Sequence, residues 1–384
     1  MPLFLSNEDQ AACISMAEAI DAMENGIGQM ARGDAIRRPR IDNLIPTIRP
    51  DEFFCFSSME GGLRSPGYYA LRIKPDVVSW PVVDGVRRRV TYAVKPGLYA
   101  GLVLLYAVDN AELLAIMNDG YIQHVRVAAT AGLGIRYLAH PEAKVMGLLG
   151  SGGMARTFAL AARAERPIER IQVCSPSRAH VEAYLEEMAP QLDCELVAVN
   201  TPEAAARDAD ILSLCTNSMQ PVVQAGLIRP GMHITNVTAH EFPPEGYARI
   251  GVAGLLVRRT PMSLAGFVDD DFDFRTDVMS YAAGQPEERA RIPAGSQEPN
   301  RYPNARFPLC CDWQTGQPYH RERPDEITTL ASWSLGVLEG EGGASVGLQG
   351  LQFACVAGKM YERAREQNRG TELPAEMFLQ DIAT

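Results

Sequence analysis

No apolar run in this 384-residue chain approaches the roughly 20 residues that a helix needs to span a bilayer. Residues 1–9 lack the basic start and apolar centre of a secretory signal. A basic excess is missing too. The formal charge of −11 gives no electrostatic reason to bind nucleic acid or an anionic membrane surface. The 8 cysteines are scattered, with Cys310 and Cys311 adjacent and no C-x-x-C, so neither a disulfide framework nor a zinc site is expected. The 6 histidines show no H-E-x-x-H or comparable spacing, and no metal is expected. Internal repeats and low-complexity tracts are absent. These absences predict a cytoplasmic protein with reduced thiols and with neither membrane nor nucleic acid as a partner. What is present is ordinary globular material, 46% hydrophobic and 22% charged, in a chain long enough for two domains.

The most informative stretch is residues 144–155, Lys-Val-Met-Gly-Leu-Leu-Gly-Ser-Gly-Gly-Met-Ala. An apolar run over 145–149 enters a glycine turn, and a helix-forming run over 154–163 leaves it. Gly150 permits the tight strand-to-helix turn, Gly152 has no Cβ to obstruct a pyrophosphate, and Ala155 lets the helix pack closely on the strand. The free N–H groups at the helix start would face the phosphates. Gly150, Ser151, Gly152, Gly153, Met154 and Ala155 are therefore candidate cofactor contacts. A lone G-x-G-x-x-A is weak, but the context is alternating: strands over 171–174, 195–199 and 211–215, helices over 179–189 and 202–208. The pattern predicts an α/β, Rossmann-type doubly wound domain that binds a dinucleotide. After the second strand come Cys174-Ser175-Pro176-Ser177-Arg178, with no acid to take the ribose 2′-OH of NAD. Ser175, Ser177 and Arg178 suit a 2′-phosphate instead, which predicts NADP(H) over NAD(H).

Outside this region the chain changes character. Ser6-Asn7-Glu8-Asp9 reads as a helix cap, followed by two helical segments over 7–32, broken near Ser15 and ended at Gly33. Strands are predicted over 68–73, 77–82, 88–94 and 102–108, with a turn at Asp109-Asn110 and a return strand over 113–117. A helix over 121–139 carries small residues, Ala128, Ala129 and Ala131, that suit close packing. Arg126 interrupts that apolar stretch, where a charge needs either a salt bridge or a ligand. Past a strand over 233–237, residues 265–325 are polar, rich in Pro, Gly and Asp, and acidic at 269–273, which reads as a lid or a surface insertion. A helical pattern over 344–369 ends at Gly370. Its return to the N-terminal segments would make the first domain discontinuous. The expected division is 1–138 with 326–384, and 139–325 with a long loop near 269–303.

With these pieces in place, the chain resembles the ornithine cyclodeaminase/μ-crystallin family. The matching stretches are the N-terminal helices, Arg38-Pro39-Arg40, the hairpin before Tyr121, Val125-Arg126-Val127-Ala128-Ala129 and the glycine turn. Pro230-Gly231-Met232-His233-Ile234 and Tyr361-Glu362-Arg363-Ala364 complete the match. The resemblance implies a homodimer, with the chain ends forming an α+β substrate and dimerisation domain. It also implies hydride chemistry between a nicotinamide and the nitrogen-bearing carbon of a small amino or imino acid. Arg40 and Arg126 match positions that hold the substrate carboxylate. The family places a lysine on the following strand, where Arg72 and Lys74 share a face by alternation; Lys74 is favoured, because a buried lysine can also move a proton. Thr216-Asn217-Ser218 and Val237 are expected against the dinucleotide. Cyclodeaminases carry an aspartate after the strand at 233–237, whereas this chain has Thr238-Ala239-His240-Glu241. His240 stands at the aspartate's place and can act as acid or base; Glu241 could supply the carboxylate from next door. The leading expectation is an imine reductase or amino-acid dehydrogenase. An ornithine cyclodeaminase and a non-catalytic NADP-dependent carrier of small ligands are the alternatives.

Overall fold

The computed structural model describes residues 1–32, 34–38, 40–83, 86–87, 89–218, 220–237, 241–253, 278–292, 311–312, 317–318, 328–332 and 349–382. Two compact units emerge: Met1–Arg126 with Pro261–Gln297 and Leu348–Thr384, and Val127–Thr260 with Glu298–Gly347.

Strand β1 (Leu3–Leu5) leads to a capping box. Ser6 Oγ accepts from Asp9 N at 3.1 Å, while the Asp9 carboxylate accepts from Ser6 N at 3.0 Å, and α1 (Asn7–Cys13) begins. Helix α2 (Met16–Arg32) buries Ile20, Met23, Ile27 and Met30, a 3–4 spacing that puts them on one stripe. There follow β2 (Ala35–Arg37), β3 (Arg40–Pro46), β4 (Phe53–Leu63), β5 (Tyr68–Ser79), β6 (Val90–Tyr92), β7 (Leu102–Ala107) and β8 (Leu113–Asn118). The strand predicted over 68–73 and the first part of the one predicted over 77–82 are one: β5 runs through Pro75 without a break and ends at Ser79. Its far side pairs with β7 only as far as Ile73 and with β6 only from Val77, so Pro75 lies where that side has no partner strand. The β7–β8 turn also differs from expectation. The left-handed residue is Ala111, at φ 61°, while Asn110 Oδ1 accepts from Glu112 N at 3.0 Å. Helix α3 (Asp119–Leu138) follows.

Alternation then sets in: β9 (Val145–Leu149), α4 (Gly153–Glu165), β10 (Arg170–Cys174), α5 (Arg178–Leu192), β11 (Glu195–Ala198), α6 (Pro202–Ala206), β12 (Ile211–Leu214), β13 (His233–Asn236) and β14 (Val252–Ala253). Strand β15 (Val278–Ala282) pairs in parallel with β3, in the first unit; the sequence had placed these residues in the long polar segment of the cofactor domain. Strand β16 (Thr329–Ser332) joins the second unit. Helix α7 (Gln349–Glu366) packs on α2, β4 and β5 of the first, before β17 (Thr371–Glu372). Its entry is pressed hard onto β4: a Cβ on Gly350 would lie 1.7 Å from the Glu60 carbonyl oxygen.

The first unit's ten-stranded sheet is mixed, in the order β15-β3-β4-β5-β7-β8-β1-β17, with β2 on β4 and β6 on β5. The second unit's seven-stranded sheet runs β11-β10-β9-β12-β13-β16-β14, every described pair parallel. Its core on one side gathers Leu149, Leu212, Leu214, Ile234, Phe242 and Ile250. This is the doubly wound order, and the chain reverses direction across the sheet between β9 and β12. No helix among the described residues is long and apolar enough to cross a membrane.

Candidate functional site

In doubly wound sheets ligands bind beyond the carboxyl ends of the strands at the reversal point. Here those ends carry Gly150-Ser151-Gly152 after β9 and Cys215-Thr216 after β12. Gly150 has φ 111°, and a Cβ on it would meet the Cys215 carbonyl oxygen at 2.2 Å. Gly152 caps α4 with no side-chain bond, and a Cβ built there meets nothing within 4 Å. The backbone is thus open to an approaching group where the N–H groups of Gly153, Met154 and Ala155 begin the helix. Ala155 is wholly buried, as close helix–strand packing requires. This cradle fits a dinucleotide pyrophosphate.

Sequence reasoning missed Arg156. Its Nη1 donates to the Ser151 carbonyl at 2.6 Å, and Nε and Nη2 grip Glu187 at 2.9 and 2.6 Å, so the turn is tied to α5. A residue identity alone gives no signal for such a contact. After β10, Ser177 caps α5 by accepting from His180 N at 3.3 Å, and Arg178, 59% exposed, reaches Glu182 at 2.9 Å. Ser175 lies between them and the strand. Beyond β12, Thr216 donates through N and Oγ1 to Glu241 Oε1 at 2.5 and 2.8 Å, and Asn217 is exposed. Ser218 N donates to Thr216 Oγ1 at 3.2 Å, and Val237 N donates to Glu241 Oε2 at 3.0 Å. Glu241 is fully buried on these bonds, so its carboxylate is turned inward. His240 lies outside the described residues.

In the first unit, alternation brings Arg40 and Asp42 on β3, Ser57 and Met59 on β4, and Arg72, Lys74 and Asp76 on β5 to one sheet face. Arg40 Nε donates to Asp42 at 2.7 Å and its Nη2 to Ser57 Oγ at 3.1 Å. Arg72, 4% exposed, donates from Nε and Nη2 to Asp119 Oδ2 at 3.0 and 2.6 Å. Lys74, more open at 20%, pairs with Asp76 at 2.7 Å and lies 5.9 Å from the Tyr99 ring centre. Arg126 comes to the same place from α3. It donates to Gln123 at 2.9 Å and to Gln352, and stands 4.9 Å over the Phe353 ring that also lies 5.7 Å from Arg72.

Crowding like charges out of water leaves a record. Burial, then the Arg72 and Arg40 guanidiniums, hold Arg126 well below the usual arginine range. Burial likewise lowers Lys74, partly offset by Asp76. Arg89, also missed from sequence because it closes a basic run that reads as surface, stands at the rim. It is solvent-exposed yet crowded enough that desolvation, then Arg40, lower it. The cluster is a place where a planar carboxylate gains paired N–H donors and offsets unfavourable cation proximity. Among the described residues no group of His, Cys, Asp and Glu is placed to hold a metal ion.

Residues 87–245 match the model of the Ornithine cyclodeaminase/mu-crystallin family. A curated relative, the Delta(1)-pyrroline-2-carboxylate reductase of Paracoccus denitrificans (strain Pd 1222), is 26% identical over 241 residues, 62% of this chain and 68% of that protein. The solved Thermococcus litoralis Delta(1)-pyrroline-2-carboxylate reductase, in complex with NADH and L-proline, has a TM-score of 0.67 at 24% identity, covering 97% of this chain and 100% of that one. An archaeal alanine dehydrogenase, described as a dimer with bound NAD, has a TM-score of 0.65 at 19% identity, covering 97% and 99%. These likenesses extend the shared fold over both units. Through residues 87–245 the chain is thus similar to the ornithine cyclodeaminase/mu-crystallin family.

Proposed function

We propose that this protein is an NAD(P)H-dependent reductase of small, carboxylate-bearing imines, working in the reverse sense as an amino-acid dehydrogenase. The single observation that carries the reading is the cation cluster in which Arg126 of α3 joins Arg40, Arg72 and Lys74 of one sheet face. Asp42, Asp119 and Asp76 pair Arg40, Arg72 and Lys74, and the four cations still outnumber these three carboxylates, which favours the arrival of a further anion. The relatives named as pyrroline-2-carboxylate reductases support imine reduction over ornithine cyclisation.

A bound nicotinamide supplies hydride at the carbon of the C=N bond. Arg126 and Arg40 clamp the substrate carboxylate, with Arg72 held in line by Asp119. Lys74, its proton affinity lowered by burial, delivers the proton to the imine nitrogen; His240 is the second candidate for that step. The glycine turn and the start of α4 take the pyrophosphate. NADP(H) is preferred over NAD(H), because Ser175, Ser177 and Arg178 stand where an acid would select NAD. Among the described residues Arg178 is held by an exposed i,i+4 pair with Glu182, worth a few tenths of a kcal/mol, which is a weak restraint against its turning to a 2′-phosphate. The first unit is the substrate and dimerisation domain of a cytoplasmic homodimer, a reading supported by the dimeric alanine dehydrogenase of like fold.

The test is oxidation of NADPH and NADH in the presence of pyrroline-2-carboxylate, piperideine-2-carboxylate, and 2-oxo acids with ammonia or methylamine. Turnover of a cyclic or linear imino acid, faster with NADPH, is expected. Silence across the panel with cofactor binding confirmed defeats the reading, as does ornithine giving proline and ammonia without net change in nicotinamide absorbance.

A further inference from the structure

A carboxylate buried without exposure needs a reason, because removing it from water is costly unless donors surround it. Glu241 has such donors, and they come from two neighbouring strand ends. Oε1 accepts from Thr216 N at 2.5 Å and Thr216 Oγ1 at 2.8 Å, just past β12; Oε2 accepts from Val237 N at 3.0 Å, just past β13. The tie reaches further on both sides. Thr216 Oγ1 accepts from Ser218 N at 3.2 Å, so the 216–218 turn hangs from the carboxylate, and the Glu241 carbonyl accepts from Val222 N at 2.9 Å. Residue 215 in turn carries the carbonyl that closes over Gly150, against which a Cβ would stand at 2.2 Å. Movement at 215–216 is therefore felt at the glycine turn.

We propose that Glu241 is a positioning residue for the dinucleotide: its carboxylate fixes the backbone after β12 and β13 in the shape that the cofactor reads. The inference rests on the reading that the second unit binds NAD(P)(H). It also withdraws Glu241 as a source of the carboxylate that cyclodeaminases carry at the substrate, since its oxygens face the strand ends and none is exposed. Glutamate suits the position because a carboxylate only accepts, whereas a glutamine would turn its amide N–H groups against one or more of the same donors.

The test uses the full-length protein and isothermal titration with NADPH. Glu241→Gln and Thr216→Val each lose a charge-assisted bond and should raise the NADPH dissociation constant about tenfold. At saturating NADPH, kcat and the imine KM of Glu241→Gln should stay within about twofold of the wild type, a split that general loosening of the fold would not give. The double variant should bind no worse than Glu241→Gln alone, since the two changes break a shared bond. Unchanged NADPH affinity in both single variants overturns the inference, as does a raised imine KM with unchanged NADPH affinity. If Glu241→Gln fails to fold, Glu241→Asp decides in its place: its shorter carboxylate keeps the charge but cannot span both strand ends, and unchanged NADPH affinity in it overturns the inference. A wild type that binds neither NADPH nor NADH brings down the dinucleotide reading itself, and this inference with it.

Discussion

Gly150 and Gly152 stand two residues apart and answer opposite demands. Gly150 is required by the protein: φ is 111° and the Cys215 carbonyl fills the space of a Cβ. Gly152 is required by nothing within the protein, since its Cβ position is open to 4 Å. Gly150→Ala should therefore lower stability by about 1–3 kcal/mol or more through strain and clash. Gly152→Ala should cost about 1 kcal/mol or less, as a change at a helix cap, yet abolish the rise in melting temperature given by NADPH. Thermal melts with and without NADPH separate the two. Lys74 gives a prediction in pH. Its folded value lies below the ordinary 10.5, with burial the first cause. In the proposed reductive step Lys74 acts as the protonated amine, so kcat should be full below that lowered pKa and fall as pH rises through it. Lys74→Met should lose this limb and about 10²–10⁴ in kcat. The unfolded chain binds more protons between the two values, so the lysine makes stability rise with pH across that window, and the variant flattens the rise. At this scale the glycine turn was legible because its logic is local. The Arg72–Asp119 pair spans 47 positions, and the inward turn of Glu241 depends on strand order; neither leaves a mark in a single sequence.

Among the elements, those with an uninterrupted period were legible and those that break their own pattern were not. The βα alternation from Val145 onward and the capped α1 were plain. Strand β4 escaped notice because Phe53–Leu63 contains Ser-Ser and Gly-Gly, which read as turn residues, while its neighbours supply the pairing that overrides them. Strand β5 was split at Pro75 for the same reason. Helix ends depend on partners as well. Arg166 donates to the carbonyls of Ile135, Arg136, Ala139 and His140 at 2.6, 2.7, 2.9 and 2.9 Å, closing the last turn of α3 and the chain beyond it. Burial is the first cause of its lowered pKa. Arg166→Ala leaves these carbonyls without that donor and should lower stability by about 2–4 kcal/mol, read from the denaturant midpoint. Arg166→Lys should recover only part, because an ammonium cannot reproduce the planar fork.

At the scale of the whole molecule, the proposed reading divides the work between the two units, and the division is itself testable. The doubly wound order of the second unit was foreseeable from its repeating elements. The entry of Val278–Ala282 into the first unit was not, because a short strand within a polar, proline-rich stretch is set by the edge of β3 rather than by its own residues. Arg126→Met keeps the volume of a buried side chain while removing its donors to Gln123 and Gln352. It should lower kcat/KM for an imino acid about a hundredfold and leave the NADPH dissociation constant unmoved. A matching loss of NADPH affinity would mean that the cation cluster serves the cofactor rather than the substrate. The most direct measurement follows the hydride itself. NADPH deuterated at C4 of the nicotinamide, on each face in turn, is incubated with the enzyme and pyrroline-2-carboxylate, and the product is examined by mass spectrometry and NMR. The account predicts proline carrying a single deuterium at C2 from one of the two labelled forms. Unlabelled proline from both forms, or cofactor oxidation with no amino acid formed, would contradict it.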